Sequence, residues 1–220
     1  NMVCLSIETE SDGGISVSGM AFITEDLNFN SAIVSLDSNL DIKHGNQIMA
    51  QLGILKMKKT DDDGLILYSG KTMIKQDSNR NTLWAKELPV YCNDCSVQPT
   101  NDGGVYITTQ TDQIKLNEDG DITWSKSVKG NGQLYSSVPT QDGYLFTGSK
   151  SDYGLPPYTI FGKTNEYGEI PGCDIFQNTS LATSNTSLIF EPKNSTQGTE
   201  NLTSHDIPWG IAGNKFEELK

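Results

Sequence analysis

A unit of about forty residues recurs four times along this chain, and no other feature constrains its fold as strongly. Asp-Gly turns stand at Asp12-Gly13, Asp63-Gly64, Asp102-Gly103 and Asp142-Gly143, at intervals of 51, 39 and 40 residues. A second anchor follows each one, at Leu36-Asp37, Gln76-Asp77, Leu116-Asn117 and Thr164-Asn165. Trp84 and Trp124, also 40 residues apart, follow the second and third of these. In the third unit Ser96 to Thr100, Val105 to Thr109, Gln113 to Leu116 and Asp121 to Ser125 read as strands. The turns between them include Asn101-Asp102-Gly103 and Asn117-Glu118-Asp119-Gly120. Gly, Asn and Asp tolerate the positive φ that tight hairpin turns use. No segment sustains a 3.6-residue apolar period between caps, so helix should be scarce.

Four-stranded antiparallel units at this period bury their faces against one another around an axis, as the blades of a β-propeller do. The expected fold is all-β, with four blades in residues 1–176 and an extended tail in residues 177–220. Propellers have about 4 to 8 blades. Four repeats therefore close a small ring or form part of a larger one, completed by upstream blades, a tail-donated strand or a partner chain.

The recurring T-x-D-G-G followed by K-x-D/N-x-x-G-x-x-x-W-x-K resembles the PQQ-like propeller repeats of secreted and surface-exposed bacterial and archaeal proteins. Thr100-Asn101-Asp102-Gly103-Gly104, Lys115-Leu116-Asn117-Glu118-Asp119-Gly120 and Trp124 carry the likeness. Thr140-Gln141-Asp142-Gly143, with Lys163-Thr164-Asn165 and Gly168, repeats it. The resemblance implies a propeller and an extracellular or cell-surface setting, but no particular chemistry, since one fold hosts many functions. The first unit lacks the tryptophan, and Ile170-Pro171-Gly172-Cys173 replaces it in the fourth.

A formal charge of −12 and a single arginine, Arg80, exclude the cationic surface that binds phosphate backbones or anionic lipid. No apolar run approaches the ~18 to 20 residues of a membrane-spanning helix, so membrane insertion is not expected. The start at Asn1-Met2-Val3 has no basic and apolar leader, so any signal peptide is removed or lies outside this sequence. From Asn178 to Ser204, fifteen of 27 residues are Ser, Thr or Asn, and all four N-x-S/T sequons begin there, at Asn178, Asn185, Asn194 and Asn201. These are candidate glycosylation sites. So polar a segment orders only against another surface, and one strand is expected near Ser187-Leu188-Ile189-Phe190.

Of the four cysteines, Cys92-Asn93-Asp94-Cys95 suits a local disulfide in an oxidising compartment, leaving Cys4 and Cys173 to staple the ends. The oxygen-rich turns at Asp37, Asp77 and Asn117 resemble the start of a calcium loop. They lack its terminal acid, having Ile48, Leu88 and Val128 there instead, so turn formation is the simpler reading and no metal is expected. Lys56-Met57-Lys58-Lys59 reads as a solvated strand edge. Two histidines outside any nucleophile or base arrangement support no catalytic mechanism, and no cofactor is expected.

Blades one and four carry roughly nine extra residues between their second and third strands. Phe29, Tyr153, Leu155, Pro156, Pro157 and Tyr158 are the contact residues expected on that face, which also carries Cys92 to Cys95. These features point to a non-catalytic interaction, adhesion or assembly module with a protein or surface-glycan partner, and to possible homo-oligomers or filaments. The alternative is a fragment of a carbohydrate-directed or quinone-dependent propeller enzyme.

Overall fold

A computed structural model describes the backbone of residues 2–22, 29–48, 55–92, 94–151, 156–186 and 190–191, and the side chains of residues 6–19, 31–43, 55–92, 94–151 and 156–186. Among these residues the only regular elements are strands. Blade one is β1 (Met2–Thr9), β2 (Ile15–Phe22), β3 (Phe29–Leu36) and β4 (Ile42–Ile48). Blade two is β5 (Lys56–Lys59), β6 (Leu65–Ser69), β7 (Thr72–Gln76) and β8 (Thr82–Glu87). Blade three is β9 (Ser96–Pro99), β10 (Val105–Thr108), β11 (Asp112–Leu116) and β12 (Ile122–Val128). Blade four is β13 (Gly132–Thr140), β14 (Gly143–Lys150) and β15 (Tyr158–Thr164). Each is an antiparallel meander in chain order, and β1 packs on β5, β5 on β9 and β9 on β13, giving a four-bladed propeller arrangement.

Local hydrogen bonding explains the recurrent turns. One side-chain oxygen in each of Asp37, Asp77, Asn117 and Asn165 accepts from the backbone N–H groups two and four residues on. The periodic acids and amides thus act as turn formers. In the first turn of blades one, two and three, Asp12, Asp62 and Asp102 accept from the N–H of Gly14, Gly64 and Gly104. In blade two the turn-forming aspartate is therefore Asp62 and not Asp63, which instead takes the left-handed position (φ 60°) that Gly103 fills (φ 75°) in blade three.

Blades two and three are sandwiched, so their strands bury both faces. Leu65, Leu67 and Ile74 pack with Ile33, Leu55 and Met57 toward blade one. Ile66, Tyr68 and Met73 pack with Val97, Val105, Ile107 and Ile114 toward blade three. Met57 thus belongs to the core and Lys58 pairs with Glu8 of blade one at 2.9 Å, a correction to the solvated-edge reading of Lys56 to Lys59.

A clasp joins consecutive blades. Trp84 Nε1 donates to the Glu118 carbonyl at 2.7 Å, and Lys86 pairs with Asp121 at 2.7 Å. One blade on, Trp124 Nε1 donates to the Glu166 carbonyl at 3.0 Å and Lys126 pairs with Glu169 at 3.4 Å. Gly120 and Gly168, at φ 79° and 68°, lie so close to the two indoles that a Cβ would meet ring carbon at 2.9 and 2.7 Å. Blade one has no tryptophan to offer, and the corresponding residue of blade two is Arg80 (φ 67°). Its guanidinium reaches back to Glu10 at 2.6 Å and to the Ser16 hydroxyl at 3.3 Å.

The tail departs from expectation. It contributes three strands: β16 (Phe176–Asn178) on β12, β17 (Ser184–Asn185) on β8, and β18 (Phe190–Glu191) on β4. It therefore walks back around the propeller, capping the outer edges of blades three, two and one. Those edges would otherwise expose unpaired backbone groups. Backbone pairing holds this polar segment, helped by the Ser125 hydroxyl donating to the Thr179 carbonyl at 2.9 Å and by Leu181 packing on the core between blades two and three. Among the described residues blade four has three strands. Around Pro171 and Gly172 (φ 76°) a single bridge, Ile170 to Cys173, replaces the expected fourth strand, and the chain crosses to blade three.

Cys92 and Cys95 form a disulfide in the connection between blades two and three, with Cα atoms 4.9 Å apart. The expected staple between Cys4 and Cys173 is not formed: Cys173 is a free, exposed thiol, and the Cys4 side chain lies outside the described residues. Closing so short a loop restricts the unfolded chain by about 2 kcal/mol. Thermal unfolding with and without reductant should therefore differ by roughly 4 to 8 °C.

Candidate binding surfaces

The extra residues of blades one and four partly lengthen their hairpins. Phe29 opens β3 opposite Phe22 and is not a loop residue, and its side chain lies outside the described residues. Tyr153 and Leu155 also lie outside them. Pro156, Pro157 and Tyr158 are exposed, with Tyr158 opening β15 opposite Lys150. Of the sequons, Asn178 and Asn185 are exposed on β16 and β17, with Asn178 Oδ1 accepting from Lys126 at 3.0 Å. Asn194 and Asn201 lie outside the described residues.

A cleft of about 730 Å³ opens at the other end of the blades, between blades three and four. Repeat positions have changed here, with Tyr144 and Tyr167 in the lining and Tyr106 buried behind Tyr144. Tyr106 occupies the place of Ile66, Tyr144 that of Val105, and Tyr167 that of Asp119. The Tyr106 and Tyr144 rings stack at 3.8 Å, and Trp124 meets Tyr144 edge-on at 5.9 Å. Blade four also has a shorter first turn, which pairs Thr140 directly with Gly143 and deletes the counterpart of Gly103. Lys75 spans from blade two to the Gly103 carbonyl at 2.7 Å. Lys115, its counterpart, folds back on Asp102 at 2.8 Å and the Leu116 carbonyl at 2.8 Å, which leaves the cleft open.

The cleft's electrostatics follow from these contacts. Burial opposes ionisation of Asp102, but hydrogen bonds from Lys115, Thr100 and the Gly104 N–H outweigh it and hold the carboxyl at about 2. Burial, reinforced by the charges of Asp102 and Glu166, pushes the Tyr144 phenol up to about 12. Subtracting the repeat from the sequence residue by residue would have exposed the three tyrosines. A search for extra length did not.

The two ends of the blade stack are bare. Phe161, on the face of blade four turned away from blade three, is 85% exposed, whereas its counterparts Ile33, Met73 and Gln113 are at most 3% exposed. Val138 and Leu145 flank it on the same face, at 47% and 46%. At the opposite end Ile7 is 58% exposed, while its counterparts Met57, Val97 and Ser137 are each buried between blades. Lys163, counterpart of Lys75, stands on the blade-four face with no neighbouring blade and pairs with Asp142 of its own turn.

No protein-family model matches this chain, and no curated protein does. Its fold is similar to a crystal structure of a protein of unknown function from Bacteroides caccae. The match has a TM-score of 0.50 and 12% identity, and covers 81% of this chain and 68% of that one. Likeness at this identity concerns the fold alone.

Proposed function

We propose that this chain is a non-catalytic interaction and assembly module of the PQQ-like repeat type, working outside the cytoplasm and joining copies of itself end to end. One observation carries this reading: both ends of the stack present the residues that elsewhere in the same chain form the buried contact between blades. Blade four offers Phe161, Leu145 and Lys163, and blade one offers Ile7 with half-buried Val17 and Val34. The two faces are complementary halves of one interblade interface, so a second copy continues a contact that the fold already makes three times. Lys163 of one copy would meet the Gly13 turn of the next, as Lys75 meets Gly103. Such a heterologous contact closes into a ring or extends into a filament.

The Cys92–Cys95 disulfide supports an oxidising compartment, and no helix among the described residues is long and apolar enough to cross a membrane. Asp102, ion-paired and strongly acidic, is poorly suited to general acid work near neutral pH.

Sedimentation velocity tests the assembly. Association rising with concentration is expected, and Phe161→Glu or Ile7→Glu should each weaken it by at least about tenfold. Because the contact is head to tail, mixing the two variants should restore one intact interface and give a 1:1 dimer that grows no further. A wild-type chain that stays monomeric throughout, or variants that associate as the wild type does, would overturn the proposal.

A further inference from the structure

We infer that the cleft between blades three and four is a binding site for a neutral saccharide. It goes beyond assembly, since it uses a different surface from the bare end faces. Three observations converge on this ligand chemistry. The aromatic lining departs from the repeat at Tyr144 and Tyr167, and a third departure, the buried Tyr106, stacks behind Tyr144. Blade packing does not require that change, because Ile66, Val105 and Asp119 serve at the same positions elsewhere. Tyr167, 59% exposed, and the half-buried Trp124 offer aromatic surface to an apolar C–H face.

The polar lining is an array of neutral donors and acceptors. Asn101, Gln141, Thr100, Thr123 and Thr140 edge the cleft. The Asn101 and Gln141 amides both donate and accept, and the three threonine hydroxyls, which donate to Asp102, the Lys115 carbonyl and Asp142, add acceptors, a set that matches a ring of ligand hydroxyls. An apolar floor with a few convergent polar groups is the usual make-up of a small-molecule site.

The charges are already spent inside the protein. Lys115, the one cation of the lining, is committed to Asp102 and the Leu116 carbonyl. The cleft therefore has no free cation with which to hold a uronate, sulfate or phosphate. Of its two carboxylates, Asp102 is neutralised by Lys115, and Glu166 interacts with the Tyr167 phenol, whose ionisation it opposes. A cationic ligand would have to displace one of those partners.

Titration calorimetry on the full chain tests the inference with tri- to hexasaccharides of glucose, mannose, galactose, xylose and N-acetylglucosamine. Oligogalacturonate serves as the acidic comparator and choline as the cationic one. At least one neutral series should bind. Tyr167→Asp, which installs the blade-three residue and so respects the turn, should weaken that binding by about tenfold or more without lowering the melting temperature. Phe161→Glu, on the assembly face, should leave it unchanged.

Binding that survives Tyr167→Asp would overturn the site. Failure of every neutral series, or preference for oligogalacturonate or choline, would overturn the ligand class. Neither outcome bears on end-to-end assembly, which is read by sedimentation.

Discussion

Replacing Arg80 by Ala is expected to lower the stability of the propeller by about 3 kcal/mol, the low end of the cost of breaking a buried ion pair from one side, because Lys43 and Ser16 still hold Glu10. The Arg80 side chain is 6% exposed and Glu10 14%, and the pair stands where blades three and four use a tryptophan over a glycine. In a chain of this size the loss corresponds to a fall in melting temperature of about 10 °C. A change of under two degrees would show that blades one and two are held by apolar packing alone.

The acid limb of the stability curve reports the same pair. Burial tends to raise the Glu10 pKa, but hydrogen bonds from Ser16, Lys43 and Arg80 and the charge of Arg80 outweigh it. The carboxyl is held at about 2 against an ordinary value of 4.5. Its stabilisation is thus complete above pH 4.5 and is lost as pH falls from there through about 2. Roughly 3 kcal/mol should disappear over that window. Glu10→Gln should start lower at neutral pH and lose less on acidification.

The second large effect is expected at the glycines of the clasp. Gly120→Ala introduces a Cβ at φ 79°, a left-handed conformation that costs an L-residue about 1 to 2 kcal/mol. The same Cβ would stand 2.9 Å from Trp84 and 3.0 Å from Lys86, so the ring and its lysine must shift, at about 1 to 3 kcal/mol more. Gly168→Ala beneath Trp124 should behave alike. A double-mutant cycle with Trp84→Ala separates the two costs. In the absence of the indole, Gly120→Ala should retain only the backbone strain. If Gly120→Ala costs the same with or without Trp84, the indole does not set the requirement for glycine.

The hairpins were legible because their chemistry is local. An Asp or Asn that accepts from the N–H groups two and four residues on imposes its turn whatever surrounds it, and the third repeat's strands fell within a few residues of their predicted bounds. The run Asp61-Asp62-Asp63 blurred one register, because only the backbone conformation reveals which aspartate caps the turn and which takes positive φ. The tail left little trace in side-chain pattern. Strands that pair through backbone groups alone, on already formed edges, need no apolar alternation, and Ser, Thr and Asn serve as well as any residue. The cleft fell between these cases. Its tyrosines stood in the repeat for comparison, but that comparison becomes pointed only when Tyr106 is seen to stack on Tyr144 across the interface and Tyr144 and Tyr167 to line one cleft.

The amino-acid sequence by itself determined the blade: a forty-residue unit whose turns, strands and tryptophan clasp follow from contacts within it or with the next copy. Only the tertiary structure decided which blades were finished. Edges and faces are satisfied by whatever lies beside them, so the described part of the tail could cap blades three, two and one in turn. The same residue position could be buried at Met73 and bare at Phe161. Burial belongs to the neighbour as much as to the residue, and the neighbours of the first and last blades are not prescribed by the repeat.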